Sequence, residues 1–273
     1  MKLIYSRLNN LLIFFLLLSI SSVLTSCSNP SGGGSSPTGG SADTVNTSTA
    51  VEENGIVTDP VNGIAAGLSL DETMTDENGT VITPGIEWVP GISGQGIRMD
   101  SDGEFISLAD SDALDLLGEG SVEVWVYPEL HTAFAGILHK GVELDFSDEA
   151  YSLQYWTSYY PSMILYNETG ASKQITASSA LSLNEWHHLA ASWDDTEFSF
   201  YVDGLLIGTE DITDFHPIRN SSGDLIIGSQ LPAQYNATYG HLTFNGIIDN
   251  VTLYSRALSA EEVGHNYSLY SGL

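Results

Sequence analysis

The sequence predicts an all-β fold, a sandwich or jelly roll, and three observations carry that prediction. From about Ile56 onward, apolar residues recur with period two in short runs. Turn residues part these runs at intervals of about 8–12 residues, the spacing of strands in a sandwich. Only one stretch, near the C-terminus, carries a helix signature, while 13 Tyr and five Trp favour a pleated, half-buried surface.

The chain opens differently. Met1 to Arg7 holds the only two charges ahead of an apolar run, Leu11 to Leu24, of 14 residues. Such a run is too short to cross about 30 Å of hydrocarbon as a helix. A basic start, a short apolar core and small residues before a cut site describe an export signal over residues 1–26. The junction Leu24-Thr25-Ser26-Cys27 resembles a bacterial lipobox, which implies cleavage behind Ser26 and acylation of Cys27, the sole cysteine. Acyl chains, at about 0.8 kcal/mol per buried CH₂, would hold the protein to a lipid bilayer. Ser28 stands where Asp is the inner-membrane retention signal, so the resemblance implies the outer membrane or cell surface. Residues 27–55 then form a tether, rich in Ser, Gly, Thr and Asn and without apolar periodicity. Its r.m.s. reach as a flexible coil is roughly 30 Å.

Residues 56–273 make the folded domain. Gly96–Asp100, Glu104–Leu108 and Ser121–Tyr127 alternate as half-buried strands. In the last, Val122, Val124 and Val126 share one face, and Glu123, Trp125 and Tyr127 the other. Glu185–Trp193 and Glu197–Val202 are two more strands, joined across Asp194-Asp195-Thr196. Asp203-Gly204, set between Phe198–Val202 and Leu205–Ile207, is the strongest hairpin signal in the chain. Asp224–Gly228 and Phe244–Tyr254 bring the strands to about a dozen. Ser259-Ala260-Glu261-Glu262 is a capping box and opens a helix of a turn or two toward His265.

Charge narrows the function. Seven Lys+Arg stand against 35 Asp+Glu, a formal net of −28, and two of the bases, Lys2 and Arg7, belong to the leader. A surface this acidic repels phosphate backbones and anionic headgroups, so nucleic acid is excluded as a partner. The 42% of hydrophobic residues keeps the chain out of the acidic disordered class. One cysteine excludes an internal disulfide framework and a cysteine-cluster metal site.

Several segments, in order, resemble the laminin-G-like (LamG/pentraxin-type) members of the concanavalin A-like lectin/glucanase superfamily. They are Gly67–Glu72, Gly94–Asp100, Ser121–Pro128, Trp186–Ala190, Tyr201–Gly204, Asn245–Val251 and the closing Tyr254–Val263. The resemblance spans about residues 64–267 and implies two antiparallel sheets in a jelly roll, with a concave face that many relatives use for ligands. Thr73–Trp88 and Val142–Glu149 depart from the pattern. The superfamily holds lectins, adhesion modules and glucanases, so the fold does not select among them.

Glu143-Leu144-Asp145-Phe146-Ser147-Asp148-Glu149 is the motif closest to a glucanase site. Retaining enzymes of this fold carry their carboxylates as ExDxE or ExDxxE, about 5–5.5 Å apart. Here the spacing is ExDxxxE, which matches neither pattern, and family order places the run in a loop. No catalytic residue is assigned. His187 and His188, adjacent in a strand, point to opposite sides and cannot share a metal.

Tyr155, Trp156, Tyr159, Tyr160 and Tyr166 crowd a hairpin tip around Pro161. Sugar rings stack their C–H faces on exposed aromatic planes. Trp156, Tyr159 and Tyr160, with Trp125 lining the concave face, are the candidate carbohydrate-binding residues; the alternative is that the cluster only plugs and caps the sandwich. Relatives of this fold hold a cation where the first and last strands meet, which the resemblance maps to Asp71, Glu72 and Asp249 as a structural calcium site, against the alternative that Asp71 and Asp249 cap turns. The expected function is a lipid-anchored surface module that binds carbohydrate or a surface glycoconjugate. The alternatives are an adhesion module binding another cell-surface protein and a glycoside hydrolase.

Overall fold

Period-two alternation buries one side of a strand and needs a second sheet to receive it. The computed structural model, which describes residues 51–53, 56–59, 63–68, 70, 80–101, 103–141, 148–230 and 242–272, resolves that need as two antiparallel sheets. The strands are β1 (Val51–Glu53), β2 (Ile56–Asp59), β3 (Ile64–Leu68), β4 (Thr80–Ile82), β5 (Glu87–Pro90), β6 (Gln95–Met99), β7 (Ile106–Leu108), β8 (Gly120–Leu130) and β9 (Gly136–Lys140). They continue as β10 (Tyr151–Tyr155), β11 (Pro161–Tyr166), β12 (Ser172–Thr176), β13 (His187–Trp193), β14 (Glu197–Val202), β15 (Leu205–Asp211), β16 (Leu225–Ile227) and β17 (Asn245–Tyr254). One helix, α1 (Ala260–Tyr270), follows.

The larger sheet runs β1-β2-β3-β17-β8-β13-β14-β15, with β6 against β17 and β5 against β6. The smaller runs β12-β11-β10-β9-β16-β7-β4. An early strand, β3, therefore lies beside the last strand, β17. Val122, Val124 and Val126 of β8 face inward with Leu189, Ala191 and Trp193 of β13 and Phe198 and Phe200 of β14. From the other sheet they meet Leu138, Tyr151, Leu153, Met163, Leu165, Leu225 and Ile227. Each such side chain stabilises the fold by roughly 1.5–3 kcal/mol on burial. Asp203 and Gly204 turn the β14–β15 hairpin with positive φ (51° and 72°), the backbone that a two-residue turn of this twist demands.

The count of strands exceeds the sequence expectation because three- to five-residue edge strands such as β4, β5 and β12 leave little periodicity to read. The helix is also longer. Its capping box forms as expected, with Glu262 N–H donating to Ser259 Oγ and Ser259 N–H to Glu262 Oε2. It then runs 11 residues to Tyr270 because its far end packs on the larger sheet.

The leader, Cys27 and the tether up to residue 50 lie outside the described residues, as do Asp71, Glu72 and 142–147, whereas residues 51–53 of the expected tether form β1 against β2.

Candidate functional site

Trp125 is corrected first. It does lie on the outer face of β8, but it is buried rather than lining a ligand surface. Tyr267 of α1 stacks on it with ring centroids 5.8 Å apart, Tyr270 meets it edge-on at 5.9 Å, and His188 lies 5.1 Å away. Beside it, Glu123 Oε2 accepts from Tyr254 Oη at 3.0 Å and from Asn266 Nδ2 at 2.8 Å. Burial pushes the Glu123 carboxyl up to about 7, with those two hydrogen bonds opposing, and pushes the His188 imidazole down to about 4. This face is closed by the helix.

The aromatic tip stands at an open end of the sandwich. Tyr155 is part of the core, its ring 6.0 Å from Phe244. Trp156 to Tyr160 form the tip, tied by Trp156 N–H to Tyr160 O and Tyr159 N–H to Trp156 O, both 2.9 Å. Tyr159, at φ 64°, is held outward and is 45% exposed. Trp156 and Tyr160 are half-buried; Trp156 meets the ring of Phe134 edge-on at 5.6 Å. Tyr159 lies flat against His131, 6.2 Å between centroids at 15°.

Tyr159 and His131 line a hollow of about 570 Å³, with Asp100 and Ser101 after β6, Leu130 and Thr132 after β8, and Thr243 and Asn245 at the start of β17. Hydrogen bonds hold the described part of the turn at Asp100. Glu104, itself buried, takes the N–H groups of Asp100 and Ser101 at 2.8 and 3.0 Å. Thr243 Oγ1 accepts from Gly103 N–H, and Asn245 Nδ2 donates to Asp100 O. His131 Nε2 is buried without a hydrogen-bond partner. The hollow thus joins an aromatic plane to outward polar groups, the composition of a small-molecule site. Of the expected residues, only Tyr159 lines it; Trp156 packs on Phe134, and nothing places Trp156 or Tyr160 in the hollow. His131, Asp100 and Asn245 were invisible in the sequence, since each is an ordinary loop or strand-end residue.

A second hollow, about 510 Å³, flanks the start of α1, where Arg256 Nη2 pairs with Glu262 Oε1 at 2.8 Å beside Glu261.

The acidic motif between β9 and β10 serves structure where it is described. Asp148 Oδ2 accepts from Ser221 Oγ, Ser222 N–H and Ser222 Oγ at 3.1–3.3 Å, capping that turn. Glu149 is buried and its carboxyl is pushed up to about 7 by that burial, with Tyr166 and Arg219 opposing. His139 Nδ1 lies 3.5 Å from it, and burial takes this imidazole down to about 4. On the outer face of the smaller sheet nearby, His139, Ser152, Gln154 and Ser162 are all buried.

His187 and His188 do point to opposite sides. His187 Nδ1 bonds Asp203 Oδ2 at 2.8 Å and Nε2 bonds Ser182 Oγ at 2.9 Å. Ser182 Oγ also lies 2.6 Å from Glu185 Oε2, a stronger acceptor than an imidazole, so the hydroxyl is drawn away from the geometry of an activated nucleophile. The set pins the head of β13 to the β14–β15 turn.

Asp249 is fully buried; its Oδ2 accepts from Ser93 N–H at 3.1 Å and its Oδ1 from Asn250 N–H at 2.7 Å. N–H groups meet both oxygens, as in a turn clamp, while Asp71 and Glu72, the other expected ligands, lie outside the described residues. Among the described residues no three His, Cys, Asp or Glu gather as metal ligands.

Comparison with known proteins agrees with this architecture. The family model Laminin_G_3, described as concanavalin A-like lectin/glucanases superfamily, matches residues 100–264. No curated protein matches the chain. Among solved structures, the binding domain of Paraclostridial Mosquitocidal Protein 1 is similar at 17% identity and TM-score 0.57, over 82% of this chain and 52% of that one. The botulinum neurotoxin serotype D ligand binding domain, in complex with N-acetylneuraminic acid, is similar at 14% and 0.59, over 76% and 51%. Domain 4 of AbnA, a GH43 extracellular arabinanase from Geobacillus stearothermophilus, in complex with arabinotriose, is similar at 16% and 0.50, over 76% and 90%. The chain spans about half the length of the toxin domains. At these identities the likeness is one of fold.

Proposed function

This chain belongs to the Laminin_G_3 family of the concanavalin A-like lectin/glucanases superfamily, and from that premise we propose that it is a non-enzymatic, lipid-anchored surface module that binds carbohydrate. The observation that carries the proposal is the open hollow in which the stacked His131 and Tyr159 rings stand beside Asp100, Ser101 and Asn245. A sugar lays its C–H face on the aromatic plane and directs its hydroxyls to the polar rim. Two of the similar structures hold a saccharide, which supports the reading. The lipid anchor rests on Leu24-Thr25-Ser26-Cys27, with the tether of residues 27–55 lifting the domain from the outer membrane or cell surface.

The test is binding of the detergent-solubilised mature protein to a glycan array, followed by titration of the best glycan. Tyr159→Ala removes the exposed plane and Trp156→Ala the indole of the same tip, each weakening binding by roughly 1–3 kcal/mol on the scale of large interface anchors. Unchanged affinity in both variants refutes the hollow as the site.

A second reading, adhesion to another surface protein, is favoured by β15. Leu205, Leu206 and Ile207 are 70%, 54% and 38% exposed on an edge strand, where apolar side chains invite a partner. Leu205→Lys with Leu206→Lys would abolish such adhesion and leave glycan binding intact.

A further inference from the structure

Resting on the carbohydrate reading above, we infer that the glycan taken by the hollow is neutral, and that sialylated, uronate-containing and sulfated glycans are rejected. Recognition of an anionic sugar needs a cation or a nest of free backbone N–H groups. No Lys or Arg lines the hollow, and the described N–H groups of its Asp100 turn are taken.

Residues 27–273 contain five Lys and Arg, all within the described stretches, and every one is engaged elsewhere. Arg98 reaches Glu129 Oε2 through Nη2 at 2.9 Å and Nε at 3.1 Å. Lys140, fully buried, is held by Asp110 and Asp115. Lys173 pairs with Glu210 at 3.2 Å and Arg256 with Glu262 at 2.8 Å. Arg219 is 6% exposed, with Nη1 3.5 Å from the Glu149 carbonyl. None lines the hollow beside Tyr159.

The described backbone donors of the Asp100 turn are spent as well. Asp100 and Ser101 N–H go to Glu104, and Gly103 N–H goes to Thr243. Glu104 therefore places a second carboxyl behind the same turn whose own carboxylate, Asp100, lines the hollow. Ser101 Oγ donates to Asp100 Oδ1 at 2.9 Å and leaves the other carboxylate oxygen for a ligand. At this turn the site presents a carboxylate acceptor beside an aromatic plane. Sugar hydroxyls are donors and match it; a sugar carboxylate meets Asp100 as a like charge, within a chain of formal net charge −28.

The experiment uses matched probes, lactose-series oligosaccharides and their sialyl counterparts, together with neutral arabinan and glucan oligomers and their uronate analogues. Binding to the mature protein is measured in EDTA at low and high salt. The expected result is a neutral member that binds at least tenfold tighter than its acidic counterpart at low salt. The gap should narrow at high salt, where the repulsion is screened. Asp100→Asn should also narrow it by raising the acidic member relative to the neutral one. An acidic glycan that binds as well as or better than its neutral partner overturns the inference and leaves the carbohydrate reading standing. Acidic glycans that bind only when calcium is added overturn it too, by showing a bridging cation. If no member of either series binds, the carbohydrate reading fails and this inference with it.

Discussion

Lys140→Met isolates the most heavily committed charge in the fold. Lys140 ends β9 with its side chain turned inward and fully buried. Its Nζ donates to Asp110 Oδ1 at 2.6 Å, Ser221 O at 2.8 Å and Gly223 O at 2.6 Å, using all three ammonium protons, and Asp115 Oδ1 stands 3.4 Å away. Methionine keeps the length of the stem and removes the charge. Asp110, with its side chain 37% exposed, can turn to water; Asp115, at 10%, cannot. The Asp115 carboxyl is already held above its usual range, burial being the main cause and Lys140 the chief opposing one. Breaking one side of a buried pair costs about 3–5 kcal/mol. At about 2–4 °C per kcal/mol for a domain of this size, Tm should fall by on the order of 10 °C. The sign of the pH dependence follows. Without the ammonium the folded-state pKa of Asp115 rises further above the unfolded value, so the deficit grows as pH rises and shrinks in acid, where the carboxyl is neutral. Urea unfolding at pH 5 and pH 8 measures both, and Asp115→Asn should recover part of the loss when combined with Lys140→Met. A deficit under about 1 kcal/mol, or one independent of pH and of Asp115, would refute the reasoning.

Other outcomes follow from the same accounting. Glu123 and Glu149, at about 7 in the fold, keep protons that the unfolded chain releases near its ordinary carboxyl value, so each lowers stability as pH rises toward 7. His139 and His188, at about 4, act in the opposite sense and lose stability as pH falls below the ordinary imidazole value. The parent should therefore vary little across mildly acid pH, and Glu123→Gln should gain on it by up to about 3 kcal/mol between pH 5 and 8; parallel denaturation curves would contradict this. Asp249→Asn should lower Tm equally in calcium and in EDTA, because Asp249 clamps the Ser93 turn; a calcium-dependent rise in the parent that the variant abolishes would instead establish the cation. Intact mass of membrane-extracted protein should show an acylated cysteine at position 27 as the first residue, and an unmodified thiol would remove the anchor.

Local chemistry made much of the architecture legible. Val122, Val124 and Val126 had to be buried together because side chains two apart share a strand face, and they are. Asp203-Gly204 had to turn, and Ser259 with Glu262 had to open a helix, because those backbone conformations and orphan N–H groups have few other solutions. The same logic misled for Trp125. A residue on the polar side of its strand is turned away from the sandwich interior, but that does not say what else covers it, and Tyr267, more than 100 residues later, does.

What the sequence by itself determined, then, was everything that depends on neighbours along the chain: strand faces, the turn, the cap, the fold class, the poverty of cations. Only the tertiary structure decided where side chains from distant segments meet. His131, Tyr159, Asp100 and Asn245 come from four separate stretches and share no spacing that could announce a site. Lys140 is an interior ammonium only because Asp110, Asp115 and two carbonyls fold around it. Periodicity is a property of one strand, whereas a hollow or an ion cage belongs to the gaps between several, and those gaps exist only once the sheets have packed.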